Sequence, residues 1–257
     1  MSAQLKFMSF NLRMDNKKDG INYFFNRFDR VTEVLDKEKP DVIGFQEVTD
    51  AIRAKLRDYL SDYTVQGCGR GKDCHGESML IGYRKDAVEL VKLENIWLSP
   101  TPEIPGSRYG GDQSGCPRMF TAALLKHKDA ECPFWFINTH LDHEGALARY
   151  MGAMQIAQYI SVHDEKFVLT GDFNATPETP EIKVVTDALA YRGAVDCSEK
   201  LGPTYHGFGD LSPEKWVKID YIFSDAPCKA SYLVEDIPVE GKYYSDHSAI
   251  CTVLEME

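Results

Sequence analysis

The chain has 257 residues, 43% hydrophobic and 27% charged, a composition typical of a globular protein with a sizeable core and not of a disordered chain. Its formal net charge is −11, from 29 basic and 40 acidic residues, which argues against tight, sequence-independent binding to nucleic-acid phosphates. The seven cysteines are odd in number and none has C-x-x-C spacing, so neither a disulfide framework nor a zinc ribbon is expected.

Hydrophobic patterning predicts strands and helices along the whole chain, without repeats or long linkers. In chain order the pattern predicts a strand at 5–10, a helix at 27–38, a strand at 41–46, a helix at 50–60, strands at 78–84, 88–98, 119–126 and 134–141, a helix at 145–162, a strand at 166–169, a helix from Thr179-Pro180 onwards, and strands at 217–224, 229–235 and 248–256. The longest helix is expected to turn one face to the core, made of Leu147, Tyr150, Met154, Ala157 and Ile160.

Strands and helices do not alternate strictly, which favours two mixed β-sheets packed face to face with helices outside. The predicted fold is therefore α/β (α+β), a four-layer αββα sandwich, formed as a single domain by residues 1–257. The N-terminus has no signal-peptide pattern and no apolar run is long enough to cross a membrane. We therefore expect a cytoplasmic protein with no stable membrane association. Two long loops, 67–76 and 99–118, are expected to form functional rims or lids.

Polar residues end several of the apolar predicted strands, or stand next to them. A buried strand end is a costly place for a carboxylate unless it has a partner, so several together predict one shared site. Carboxylate and amide oxygens are hard ligands that suit Mg²⁺ or Mn²⁺, and phosphoester hydrolysis needs this set of groups. The residues concerned are Asn11, Glu47, His140, Asp172, Asn174, Asp220, Asp246 and His247.

These residues lie in short motifs that resemble those of the endonuclease/exonuclease/phosphatase superfamily, in the same order and over nearly the whole chain. The motifs are Ser9-Phe10-Asn11, Gln46-Glu47-Val48, Asn138-Thr139-His140-Leu141, Gly171-Asp172-Phe173-Asn174, Ile219-Asp220-Tyr221 and Ser245-Asp246-His247. The resemblance implies a metal-dependent hydrolase of phosphoester bonds, acting on a phosphorylated substrate of unknown class. Nucleic acid, nucleotide, phospholipid head group and sugar phosphate all stay open.

The resemblance also implies a role for each matching residue on the metal side. Glu47 would be the main metal ligand, with Asn11 beside it and Asp246 as a ligand or a close neighbour of the metal. Asp172 would orient and deprotonate the attacking water, and Asn174 would donate a hydrogen bond to a phosphate oxygen.

The remaining roles concern the phosphate and the leaving group. His247 would contact the phosphate, with Asp220 fixing its tautomer. His140 would act as a general acid beside Glu77, and Arg118 would be a cation on the phosphate side.

Several of these residues also have plain structural interpretations. Gly-Asp-x-Asn is good turn chemistry, Glu47 could complement a helix dipole, and Asn11 could cap a turn. His206, on a glycine-flanked loop, could equally reach the substrate or belong to the loop, and His143 is expected to be an exposed loop residue. Arg70 and Lys72 could line the rim near Glu77.

Two other classes of function compete with the hydrolase. A non-catalytic binding or regulatory protein on the same scaffold would be marked by loss of Glu47, Asp172, Asp220 or His247, and none is lost. A zinc or thiol enzyme would be inactivated by thiol alkylation. We expect the metal-dependent hydrolase, with Mg²⁺ or Mn²⁺ as its cofactor.

Overall fold

A computed structural model describes residues 3–130 and 132–256, and its regular elements follow the hydrophobic pattern of the sequence closely. The strands are Ala3–Asn11 (β1), Val42–Val48 (β2), Tyr63–Gln66 (β3), Ser78–Arg84 (β4), Val88–Trp97 (β5), Met119–His127 (β6), Phe134–His140 (β7), Lys166–Asp172 (β8), Val195–Asp196 (β9), Asp220–Ser224 (β10), Cys228–Leu233 (β11) and Ile250–Met256 (β12). The helices are Phe28–Glu38 (α1), Asp50–Tyr59 (α2), Ala146–Ser161 (α3) and Pro180–Leu189 (α4).

Within these ranges the strands form two six-stranded sheets of matching design. The first has the order β11-β12-β1-β2-β4-β3, and the second has the order β5-β6-β7-β8-β10-β9. In the first sheet β1 and β2 are parallel, in the second β7 and β8 are parallel, and the neighbouring strands pair antiparallel. Both sheets are therefore mixed, as the sequence predicted.

Apolar side chains divide the molecule into four layers. One cluster lies between the sheets, where the rings of Phe7 and Phe136 stack at 5.9 Å and Phe134 meets Phe7 edge to face. A second cluster packs α1 and α2 on the first sheet, and a third packs α3 and α4 on the second. This arrangement confirms the predicted αββα sandwich.

A buried polar network joins the two sheets beneath one end of the sandwich. Asn138 on β7 donates from Nδ2 to the carbonyl oxygens of Phe45 and Leu80 on the opposite sheet, at 2.8 and 3.0 Å. Its Oδ1 accepts from Gln46 Nε2 at 2.6 Å. Because buried polar groups require partners, this network specifies how the sheets align. The sheets come very close here, since a Cβ atom on Gly44 would lie 2.4 Å from Thr170 Oγ1.

The predicted core face of α3 is wrong at its N-terminal half. Leu147 is 62% exposed and Met154 is 43% exposed. Small side chains form the buried face instead, and a Cβ atom on Gly152 would already lie 3.1 Å from a methyl group of Leu98. Hydrophobicity alone favours the large residues as the core face, but the helix packs so closely on its sheet that only small side chains fit there. The buried residues are Ala148, Gly152, Ala153, Ile156, Ala157 and Ile160.

The remaining differences are local. Strands β3 and β9 were not predicted, because four and two residues are too short to show a periodic pattern. Thr49 caps α2 as expected, accepting from the N–H of Ile52, whereas Thr179 makes no side-chain cap for α4 and donates to the carbonyl of Thr176. In the described ranges we find no helix with the length and apolar character required for a membrane span.

Candidate active site

Most of the polar strand-end residues meet at one edge of the sandwich. Asn11 ends β1, His140 ends β7 and Asp172 ends β8, so the carboxyl ends of both parallel strand pairs supply side chains. The antiparallel neighbours begin at this same edge, and Asp220 at the start of β10 pairs directly with Asp172. The prediction from the sequence, that these ends converge, therefore agrees with the topology.

Glu47 is directed into the site by an irregularity in β2. The pairing of β2 with β4 shifts between Phe45 and Val48, and Glu47 has a φ of 60°, in the left-handed region. A non-glycine residue in this region is strained, and such strain is concentrated at functional sites. Its Oε2 accepts from the N–H of Met14 at 3.0 Å. Burial opposes ionisation, but this N–H, the imidazolium of His247 and the guanidinium of Arg13 lower the pKa of Glu47.

Asp172 is buried at the centre of the cluster. Its Oδ1 accepts from the N–H of Asn174 at 2.9 Å, and its Oδ2 accepts from Asn11 Nδ2 at 3.0 Å. Burial and the nearby Asp220 carboxylate raise the pKa of Asp172 to about 7. Asn174 has a φ of 48°, a conformation that asparagine tolerates, and its Nδ2 donates to the carbonyl of Leu141 at 3.1 Å.

His247 and Asp220 form a close buried pair. Nδ1 of His247 lies 2.8 Å from Oδ2 of Asp220, and Nε2 lies 3.8 Å from Oδ2 of Asp172. Burial disfavours the charged ring, but the carboxylates of Asp220, Asp246 and Asp172 outweigh it and raise the pKa of His247 to about 10. His247 therefore carries a positive charge at neutral pH and points it at Asp172.

Ligand atoms of three residues in the described ranges lie close enough to hold one metal ion. One atom each from Glu47, Asp172 and His247 falls within 4.8 Å of the other two. Asp246 lies outside this compact group, although its Oδ2 is 3.8 Å from Nε of Arg13 and the nearby Glu47 contributes to raising its pKa, after burial itself. Of these three residues the two carboxylates are the better candidates for metal ligands, because the raised pKa of His247 disfavours the neutral ring that a metal needs.

Asn11 does not present the oxygen that a metal ligand needs. Its Oδ1 accepts from the backbone N–H of Arg13 at 2.9 Å, which can only donate, so the orientation of the amide is fixed. The Nδ2 group consequently faces the carboxylates, 3.2 Å from Glu47 Oε1 and 3.0 Å from Asp172 Oδ2. In this structure the amide therefore bridges two carboxylates and holds them together, and its oxygen has the turn role that the sequence left open beside the ligand role.

The predicted pairing of His140 with Glu77 is not formed. Glu77 binds Arg70 instead, while His140 Nδ1 has no hydrogen-bond partner in the described ranges. Burial, followed by the charges of Arg118 and Arg70, lowers the pKa of His140 well below its usual value. The guanidinium group of Arg70 attracts Glu77, because the neutral ring of His140 offers no positive charge to compete with it. Nε2 of His140 lies 3.6 Å from Oδ2 of Asp172.

Arg118 lies in the site as predicted, but two of its neighbours were missed. Its Nε is 3.4 Å from Asp142 Oδ2, and its Nη2 is 2.7 Å from Nδ1 of His143. His143 was expected to be a plain surface residue, and it is half exposed yet lines the cavity. Asp142 follows His140 by two residues, so the strand-end pattern could have identified it.

His206 lies behind the site and does not line it. The centre of its ring lies 5.7 Å from that of Trp216 and 5.5 Å from that of Tyr243. Its backbone N–H donates to the carbonyl of Asp246 at 3.0 Å. Burial, with a smaller contribution from His247, lowers the pKa of His206 to about 4. The structure does not support a substrate contact, because His206 does not line the cavity and its backbone supports that of the Asp246-His247 motif.

Most of the predicted site residues line a cavity of about 490 Å³, although Asn11, Asp220 and His206 do not. Sequence reasoning missed several of its walls: Arg13, which pairs with Asp19 and has a φ of 53°, Tyr205, whose ring lies 4.9 Å from that of His247, and Cys116. Lys72 does not line the cavity, although Arg70 does. A groove of about 570 Å³ between β5 and α3 is somewhat larger, but it contains none of the strand-end carboxylates.

Comparison with known proteins gives matches over nearly the whole chain. The family model described as "Endonuclease/Exonuclease/phosphatase family" matches residues 8–247. An endonuclease/exonuclease/phosphatase from Bacteroides vulgatus has a similar structure, with a TM-score of 0.91 and 30% identity, covering 99% of this chain and 100% of that one.

Two further solved structures resemble the present chain in fold. A mannosyl-6-phosphatase of Bacteroides thetaiotaomicron has a TM-score of 0.85 at 24% identity, covering 97% of this chain and 99% of that one. TDP2 from D. rerio, solved with a single-stranded DNA product, has a TM-score of 0.76 at 20% identity, covering 98% of each chain.

Proposed function

Because the chain belongs to the endonuclease/exonuclease/phosphatase family, a family of phosphoester hydrolases, we propose that it is an enzyme that hydrolyses phosphoester bonds with a divalent metal ion. The observation that carries this proposal is the convergence of Glu47, Asp172 and the His247–Asp220 pair in one cavity. A non-catalytic protein on the same scaffold would have no need to bury these charges together, at the cost in stability that burial brings.

The donor set fits Mg²⁺ or Mn²⁺. Glu47 and Asp172 offer hard carboxylate oxygens within one small volume, in the described ranges, and the Glu47 carboxylate is ionised. Glu47 would hold the ion, with the Asp246 carboxylate in the same cavity. When bound, such an ion neutralises charge on the phosphate and polarises its oxygens.

Asp172 is suited to act as the general base. Its pKa of about 7 is close to neutral pH, where a carboxylate both accepts a proton from water and is present in its ionised form. The N–H of Asn174 and the Nδ2 of Asn11 hold its two oxygens in place. One hydrogen of Asn174 Nδ2 remains for a phosphate oxygen, since the other is donated to Leu141.

His247 would provide the positive charge that meets the phosphate as negative charge develops in the transition state. Asp220 accepts its Nδ1 proton, so the tautomer and the ring plane are fixed and Nε2–H points into the cavity. Neutral His140, whose Nε2 lies 3.6 Å from Asp172 Oδ2, can donate or accept one proton there. Glu77 does not assist it.

The cavity favours a compact substrate. A volume of about 490 Å³ accommodates a small phosphorylated molecule or the end of a chain, and the net charge of −11 disfavours a nucleic-acid duplex. The similar structures include one named for a phosphorylated sugar and one solved with a single-stranded DNA product. We propose a small phosphoester or a chain end as the substrate class.

The test is hydrolysis of a generic aryl phosphodiester and an aryl phosphomonoester, with Mg²⁺ or Mn²⁺ and with a chelator. We expect turnover that requires the metal, and a loss of about a thousandfold or more in Asp172→Ala and in His247→Ala. Asp187→Ala, which removes an exposed carboxylate of α4, is the matched control and should retain activity. Metal-independent turnover, or an Asp172→Ala protein that behaves like the wild type, would refute the proposal.

A further inference from the structure

The cavity has a second wall whose chemistry the proposed reaction does not use. Arg70, Glu77 and Arg118 all line it, and Glu77 forms an ion pair with Arg70. The two cations act on one another electrostatically, because Arg70 is the main cause, after burial, of the lowered pKa of Arg118.

Arg70 is held rigidly by the loop that precedes β4. Its N–H donates to the carbonyl of Glu77 at 2.9 Å, and its own carbonyl accepts from Trp97 Nε1 at 2.8 Å. The loop is so tight that a Cβ atom on Gly69 would lie 2.2 Å from the backbone of His75. Side-chain Nη2 donates to Glu77 Oε1, which fixes the plane of the guanidinium group.

Arg118 is held equally firmly at the start of β6. Its Nε points to Asp142 and its Nη2 to His143, as described above. Asp142 is itself anchored, because its Oδ1 accepts from the N–H groups of Ser114 and Gly145 at 3.1 and 2.8 Å. These bonds outweigh its burial and keep the pKa of Asp142 well below the usual range, so the carboxylate stays ionised beside Arg118.

Each arginine nevertheless keeps one terminal NH₂ group without a partner. Nη1 of Arg70 and Nη1 of Arg118 are both buried and make no hydrogen bond within the described ranges. The residues themselves are only 8% and 3% exposed. Leaving a charged donor buried and unpaired is costly, and two such donors on one wall are complementary to an anion with several oxygens.

We propose that Arg70 and Arg118 bind a second phosphate group of the substrate, separate from the one that is hydrolysed. This inference rests on the proposed function, which places the scissile phosphate against Glu47, Asp172 and His247. The substrate class is then a small molecule that carries two phosphate groups, or a chain end with a terminal phosphate, held across the cavity between the two walls.

The experiment uses a matched pair of substrates, thymidine 5′-(p-nitrophenyl phosphate) with and without a 3′-phosphate. Both have the same scissile bond and leaving group. For the wild-type protein with Mg²⁺ or Mn²⁺ we expect kcat/KM to be about 10- to 100-fold higher with the 3′-phosphate, as two charge-assisted hydrogen bonds would give. Arg70→Met and Arg118→Met should reduce this ratio to about threefold or less.

Lys72→Met is the matched control, because Lys72 stands on the same loop but does not line the cavity, and it should keep the wild-type ratio. Thermal unfolding shows whether each variant folds. If Arg118→Met does not fold, Arg118→Lys replaces it, because lysine keeps the charge but lacks the forked donors of the guanidinium group. A wild-type ratio near one, or an equal loss on both substrates in the arginine variants, would overturn the inference.

The experiment distinguishes a failure of this inference from a failure of the proposed function. If the wild type hydrolyses neither substrate, calorimetry with thymidine 3′,5′-bisphosphate in the presence of chelator still tests the second wall. Binding that weakens tenfold or more in Arg70→Met, but not in Lys72→Met, would support the inference. No detectable binding to the wild type, or binding that is unchanged in Arg70→Met, would contradict it.

Discussion

Three residues of the candidate site stand in the left-handed region of backbone conformation. Arg13, Glu47 and Asn174 have φ values of 53°, 60° and 48°. Each such conformation costs on the order of 1 kcal/mol or more for a residue with a side chain, and persists only where the surroundings enforce it. The hydrogen bonds at Asn11, Met14 and Asp172 provide this enforcement. The site is therefore preorganised at the expense of stability.

The same trade-off predicts the effect of removing the Asp172 charge. Its pKa rises from 3.8 to about 7 on folding, so ionisation destabilises the folded protein. This destabilisation is absent below about pH 4, grows as the pH rises, and is complete above about pH 7. In chelator at pH 8 we expect Asp172→Asn to unfold with a free energy about 1–3 kcal/mol larger than the wild type, and to have no advantage near pH 4.

Urea unfolding at both pH values measures this difference, with Asp187→Asn, an exposed carboxylate, as the control that should match the wild type at each pH. An Asp172→Asn protein that is less stable at pH 8 would show that this carboxylate mainly supports the fold.

At the residue scale the sequence located most of the site but not its bonding. Glu47, Asp172, Asp220 and His247 lie together as their strand-end positions predict. The orientation of the Asn11 amide could not be predicted, since it depends on one backbone N–H of a strained residue. The partner of Glu77 could not be predicted either, because the competition between Arg70 and His140 is decided by distances in three dimensions.

At the scale of elements, the close approach of β2 to the second sheet determines how the site is assembled. A Cβ atom on Gly44 would meet Thr170 Oγ1 at 2.4 Å and Asn138 Oδ1 at 2.7 Å. We expect Gly44→Ala to reduce the free energy of unfolding by about 1–3 kcal/mol, because neither neighbour can move without breaking the buried network. Gly202→Ala, with nothing near its Cβ position, is the control.

Chemical denaturation measures the free energy of unfolding of Gly44→Ala and of its control. The value of kcat/KM on an aryl phosphodiester shows whether the site is still correctly assembled. A Gly44→Ala protein as stable as the wild type would mean that the sheets can separate there without cost.

The elements themselves were predictable because most are long and strongly periodic. Strand β4 was predicted to the residue, and α2 ends one residue earlier than expected. The face of α3 was not predictable in the same way, since hydrophobicity alone selects Leu147 and Met154 while the sheet accepts only small residues such as Gly152. Strand β9, two residues long, has no sequence signal.

At the scale of the whole molecule, the concentration of acidic groups at one edge predicts that a metal ion stabilises the fold. An ion held by Glu47, close to the Asp172 carboxylate, would relieve the repulsion between the two groups, and a ligand at 100 times its dissociation constant adds about 2.7 kcal/mol. We expect Mg²⁺ or Mn²⁺ to raise the Tm in a concentration-dependent way. Glu47→Gln should abolish this rise.

Differential scanning fluorimetry measures the shift, and Glu89→Gln, an exposed carboxylate on β5, should shift like the wild type. An equal rise in the Glu47→Gln protein would place the metal elsewhere.

The Asn138 network between the sheets has a consequence for folding. Asn11, Glu47 and His247 belong to the first sheet and its loops, whereas His140, Asp172 and Asp220 belong to the second. Neither sheet alone carries a complete set of catalytic groups, and only their correct alignment brings Asp220 to His247. We therefore expect the proposed hydrolysis to depend on the docking of the two sheets: during refolding, turnover should begin only when they have docked in register, after most secondary structure has formed.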